Sequence, residues 1–112
     1  MTGRTNWEAI ALLYEGLVRI APTLGARVAH AAALAEARDA DVGLAALDAL
    51  ASDGIENYQP YWALRAHLLG RLGRIDQASE AYAYAIGLSQ DAAVREFLAT
   101  QSAALRSPET GP

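Results

Sequence analysis

Trp62, Ala66, Leu69, Gly73, Ala78, Tyr82 and Ala85 constrain this chain more than any other set of its residues. Trp62, Ala66 and Leu69 recur at helical spacing as large, small, large, and a glycine such as Gly73 ends a helix of this kind. After an Arg-Ile-Asp turn, Ala78, Tyr82 and Ala85 form a second stripe. Alanines where two stripes meet let antiparallel backbones approach closely. The pattern therefore predicts a helical hairpin in which Trp62, Leu69, Ala78, Tyr82 and Ala85 are mutually buried. A hairpin of this kind points to a surface that binds something and not to a reaction.

The spacing resembles that of a tetratricopeptide repeat, and it extends backwards along the chain. Ala31 and Leu34 match Ala66 and Leu69 about 35 residues earlier, and Gly43, Leu47 and Leu50 match Ala78, Tyr82 and Ala85. The expected fold is all-α, a tetratricopeptide-like right-handed stack of about six antiparallel helices. The first follows a Thr5-x-x-Glu8 capping box and carries Trp7, Ile10, Tyr14, Leu17 and Val18 until Pro22. The second runs from about residue 24 to 37. Asp41 is suited to cap the third, whose Leu44, Leu47 and Leu50 stop near Ser52-Asp53-Gly54. Pro60 opens the fourth, and the fifth and sixth run over about 76–88 and 91–105, with Val94, Phe97 and Leu98 facing inward. Residues 1–106 read as one helical domain and 107–112 as a disordered tail.

At 112 residues the chain suffices for a single small core. Its 53% hydrophobic fraction is inflated by alanine, and a mean hydropathy of +0.08 suits a soluble helical protein. The sequence contains no run long and apolar enough to span a bilayer, no secretory signal and no cysteine, so a cytoplasmic location without membrane association is expected. The formal net charge is −4, and the 9 basic residues, all arginine, are scattered. Neutralising phosphates takes clustered basic side chains, so no direct nucleic-acid binding is expected. Arg71 and Arg74, the closest grouping, suit a helix C-terminus.

The residues offer little to catalysis. Without cysteine or lysine there is neither a thiolate nor a Schiff-base amine, and no histidine lies near a serine in sequence. His30 and His67 share no helix face with a second metal ligand, so no metal and no cofactor are expected. Asp39 and Asp41 flank a helix start as capping groups, and Glu15 sits one turn before Arg19 as a solvated pair. In the repeat register, Ala63, His67, Gly70 and Arg71 line a concave side continued by Val28, Ala32, Ala35 and Glu36. That groove is shallow and alanine-lined, suited to an amphipathic helix. Trp62 reads as core, whereas Tyr58 and Tyr61 are open to a second reading as a binding rim.

Longer stretches carry a family resemblance. Thr5-Asn6-Trp7 with Ile10, Leu13-Tyr14 and Ala21-Pro22 begins it, followed by Ala35-Glu36-Ala37 and the run Gly43 to Leu50. Arg65-Ala66, Leu68-Leu69, Arg71-Leu72-Gly73-Arg74 and Glu96-Phe97-Leu98 complete it. In order and spacing, about residues 5–105 resemble the tetratricopeptide-like C-terminal extension of extracytoplasmic-function (ECF) type bacterial RNA polymerase sigma factors. The sequence departs from that pattern at Ala29-His30, His67 and Gln101, all polar positions of the family. The resemblance implies a non-catalytic regulatory domain. Its partners would be the upstream regions of a sigma factor, RNA polymerase or a regulator, and promoter recognition would lie elsewhere. The reading from the residues alone keeps an alternative, a small-ligand-binding or enzymatic helical domain unrelated to transcription.

In the same register, Ile10, Tyr14, Leu17 and Pro22 belong to the second helix of a repeat whose first helix is missing. Trp7, Ile10, Leu13, Tyr14 and Leu17 are then expected to form an exposed packing face, covered by upstream helices or, weakly, by a second copy of the chain.

Overall fold

The computed structural model describes residues 5–50 and 54–106. Among them are six α-helices, one short 3-10 turn and no strand, so the fold is all-α. The chain divides into two compact units, Met1–Asp53 and Gly54–Pro112.

In the first unit α1 (Trp7–Ile20) packs on α2 (Leu24–Ala37), and α2 packs on α3 (Ala40–Asp48). Each start is set by a side chain that satisfies an otherwise unpaired amide. Asn6 caps α1, its Oδ1 accepting from the Ala9 amide at 3.1 Å. The Thr5 capping box expected from the sequence is therefore displaced by one residue, onto an amide side chain that caps better than threonine. Thr23 caps α2 through Ala26 N at 3.1 Å, and Asp39 caps α3 through Val42 N at 3.0 Å. The cap of α3 is thus Asp39 and not Asp41, which lies in the first turn and complements the helix dipole there. Replacing Asp39 by alanine is expected to cost about 1 kcal/mol, read as a lower urea midpoint at unchanged m.

Helix α2 is buried at Val28, Ala31, Ala33 and Ala35, which do not share one face. A helix with a neighbour on each side needs this arrangement, and alanine permits it because the approach is close on both. Helix α3 is shorter than its leucine stripe suggests. It ends at Asp48, where the Leu50 amide donates to Leu47 O at 3.0 Å, so Leu50 lies beyond the helix and is half-buried. Leu44 and Leu47 are core. Ser52 and Asp53, expected at the end of this stripe, fall outside the described residues, as does the expected tail at 107–112.

The second unit begins at Gly54, whose φ of 95° suits glycine, and continues into a 3-10 turn, Ile55–Asn57. Helix α4 (Gln59–Arg71) has Pro60 in its first turn. It packs on α5 (Ile75–Leu88), which packs on α6 (Ala92–Ala104). Gly73, at φ 79°, closes α4 with a Schellman arrangement. Its amide donates to Gly70 O at 3.1 Å, and the Arg74 amide donates to Leu69 O at 2.9 Å. Between α5 and α6 the buried Ser89 donates its hydroxyl to Ala85 O at 3.0 Å. Asp91 then caps α6 through the amides of Ala93 and Val94.

The core of this unit comprises Tyr61, Ala66, Leu68, Leu69, Ala78, Ala81, Tyr82, Ala85 and Leu98. It holds Leu69, Ala78, Tyr82 and Ala85 as expected, but the aromatics exchange places. Tyr61 is buried, whereas Trp62 is half-buried, its indole N–H donating to Ile55 O at 3.0 Å and its ring stacked on Tyr84 at 4.4 Å. An indole that must reach a carbonyl near the surface does not sink into the core. Phe97 is also corrected. It is 61% exposed and Val94 is exposed, while the inward stripe of α6 runs through Leu98 to the half-buried Gln101, Ser102 and Leu105.

Candidate functional site

The groove expected from the sequence draws on both units, and its two halves fare differently. On α2, Val28 and Ala35 are buried and present no surface to a ligand, Ala32 is half-buried, and Glu36 is exposed. The register placed these residues on the open side, but the burial of α2 over a wide arc encloses two of them. Glu36 instead borders an open depression of about 370 Å³ with Thr5, Asn6, Trp7, Glu8 and Ala37.

On α4, Ala63 and Gly70 are half-buried while His67 and Arg71 are exposed. His67, Gly70 and Arg71 are three successive positions of one helix face at i, i+3 and i+4. They line an open depression of about 290 Å³, with Ile75 and Tyr82 of the neighbouring stretch on one wall and Gln101, Ala104 and Leu105 on the other. Gly70 has a steric role here. A Cβ added to it would meet Leu105 Cδ2 at 2.8 Å, so the tip of the Leu105 side chain packs directly on the Gly70 backbone. Burial raises the Tyr82 hydroxyl above its ordinary pKa of 10.0. The depression thus brings His67, Arg71 and Gln101 together with Ile75, Ala104 and Leu105.

Sequence reasoning found His67, Gly70 and Arg71 but not the α6 wall. Gln101 was visible only as a departure from a family pattern, and Leu105 only as the end of a helix. A second cleft of about 270 Å³ lies beside the stacked Trp62 and Tyr84, bordered by Arg65, Gln77 and Glu80. The stacked pair and the exposed Phe97 are aromatic surface of this unit, Tyr58 is half-buried, and Tyr61 is buried.

On α1, Trp7, Leu13 and Leu17 are exposed, and Ile10 and Tyr14 are half-buried. Ile10 and Tyr14 flank Ala11, the buried residue of the helix. Leu12 and Ile20, which the repeat pattern does not mark, are also exposed. Among the described residues no group of three or more His, Cys, Asp or Glu is placed to hold a metal ion, and no helix is long and apolar enough to cross a membrane.

No family model matches this chain, and no solved structure matches it. The chain is similar to an uncharacterized protein, R00370, of Rhizobium meliloti (strain 1021), at 32% identity over 98 residues. The match takes in 88% of this chain but only 23% of that protein, so the chain spans about a quarter of the length of this relative.

Proposed function

We propose that this chain is a non-catalytic protein-interaction domain, built as a tetratricopeptide-like stack, of an ECF-type RNA polymerase sigma factor. The observation that carries the binding role is the depression where α4, α5 and α6 meet, with His67 and Arg71 exposed on one helix face beside Gly70 and Leu105. It suits an amphipathic helix that lays an apolar residue against Ile75 and Leu105 and a carboxylate near Arg71. The sigma-factor assignment is supported by the resemblance over about residues 5–105, and a relative about four times longer leaves room for other regions beside such a domain. In this reading the domain sits in the cytoplasm and contacts upstream sigma regions, RNA polymerase or a regulator. It does not itself grip promoter DNA, since its net charge is −4.

The test uses the promoter-reading and polymerase-binding regions of an ECF sigma factor, produced without their extension and titrated with this chain. Saturable binding is expected, weakened at least tenfold by His67→Glu combined with Arg71→Glu, with the helical circular dichroism unchanged. Absence of binding, or binding indifferent to the double variant, overturns the reading, as does specific protection of duplex promoter DNA by this chain alone.

A further inference from the structure

The cleft beside the stacked aromatics of the second unit holds a charge that the chain leaves unmatched. Trp62 is fixed there by three contacts. Its indole N–H donates to Ile55 O at 3.0 Å, Tyr61 meets it edge-on at 5.1 Å, and Tyr84 stacks on it at 4.4 Å with the ring planes 23° apart. Tyr84 nevertheless remains 43% exposed. Gln77, Glu80 and Tyr84 follow one another at i, i+3 and i+7 on α5, so the three share one helix face, and all border the cleft of about 270 Å³. Two charged groups stand at its edge, and they differ. Arg65, on α4, already has a partner within the chain. Glu80 is exposed and its carboxylate makes neither an ion pair nor a hydrogen bond with any described residue. The charge left to a ligand is therefore negative, and it lies beside rings whose faces are also negative.

We propose that this cleft binds an arginine side chain of a partner protein, its guanidinium lying flat against Tyr84 and forked onto the Glu80 carboxylate. A guanidinium fits both surfaces at once. It stacks on an aromatic ring as a plane, and its parallel N–H groups match the two carboxylate oxygens. A lysine ammonium is a compact, strongly hydrated charge with neither the plane nor the fork. Gln77, one turn before Glu80, supplies an amide oxygen for a further N–H of the same group. Because Trp62 is already held by Ile55 and Tyr61, the stack is in place before the ligand arrives, and little ordering is needed on binding. The net charge of −4 draws cationic segments toward the chain. This inference does not rest on the depression at His67 and Arg71.

Trp62 reports on the site directly. The chain has two tryptophans, so Trp7→Phe leaves Trp62 as the one fluorophore of its kind, to be titrated with the capped tripeptide acetyl-Ala-Arg-Ala-amide. A saturable change in emission is expected with a dissociation constant on the order of millimolar, as befits a single side chain, and it should weaken as salt is added. Glu80→Gln, at an exposed site, should lower the affinity at least fivefold with the helical circular dichroism unchanged. Tyr84→Leu should lower it by a similar factor. The corresponding citrulline peptide keeps the shape and loses the charge, and should give no saturable response, while the lysine peptide should bind at least threefold more weakly than the arginine peptide. No saturable response to the arginine peptide overturns the proposal. So does binding that Glu80→Gln leaves unchanged, or equal binding of the citrulline or lysine peptide.

Discussion

Replacing Leu68 by alanine is expected to cost about 2–5 kcal/mol, more than any other substitution considered for this chain. Leu68 is fully buried on α4 and is one of the two largest side chains with almost no exposure. Its removal forfeits the transfer energy of the lost carbons and leaves a gap that the surrounding side chains relax only partly to fill. For a domain of this size each kcal/mol moves the thermal midpoint by roughly 4–8 °C, so a fall of about 10 °C or more is expected by scanning calorimetry. Leu12→Ala, at an exposed site, is the matched control and should be nearly neutral. Equal midpoints for the two variants would place Leu68 outside the core.

Leu68 also shows what the residue pattern conceals. A stripe read as Trp62, Ala66 and Leu69 assumes that α4 buries one face, whereas Tyr61 and Leu68 are buried beside it. Successive residues turn by about 100°, so burial of both 68 and 69 requires an arc wider than a single contact. Hydrophobic spacing reports the centre of a buried arc but not its width, and the same limit enclosed Val28 and Ala35 in α2. Phe97 errs in the opposite direction. Its spacing from Val94 fits a helix stripe, yet the inward line of α6 passes through Leu98 toward Leu105.

Features fixed by local chemistry were legible. Pro60 opens α4 and Gly73 closes it, because backbone geometry demands those residue types whatever packs around them. Caps were legible to within a residue or two, since Thr5 and Asn6, or Asp39 and Asp41, are chemically similar neighbours and only the chain path chooses between them. Of the candidate site, the α4 face could be read from the repeat register. The α6 wall could not, because the packing of the Leu105 side chain on Gly70 leaves no periodic signal.

Filling the contact between α4 and α5 is expected to have the second largest effect. Ala78 and Ala85 are completely buried, and a Cβ at Gly70 would lie 4.0 Å from Ala78 Cβ, so the two helices meet there with only small residues between them. Ala78→Leu or Ala85→Leu inserts three carbons at a fully buried site, where either the neighbouring elements separate or the leucine adopts a strained conformation. The cost should be about 1–3 kcal/mol per variant, read as a lower midpoint in chemical denaturation. Ala78→Leu carries a further consequence, because its site adjoins Gly70 at the edge of the depression. Separation of α4 from α5 there shifts His67 and Arg71 against the α6 wall. Binding in the proposed depression should therefore weaken in Ala78→Leu beyond what an equally destabilised Ala85→Leu chain shows when both are fully folded. A wild-type midpoint in either variant would show that small residues do not set the spacing of this hairpin, and with it the tetratricopeptide-like reading of the unit would fall.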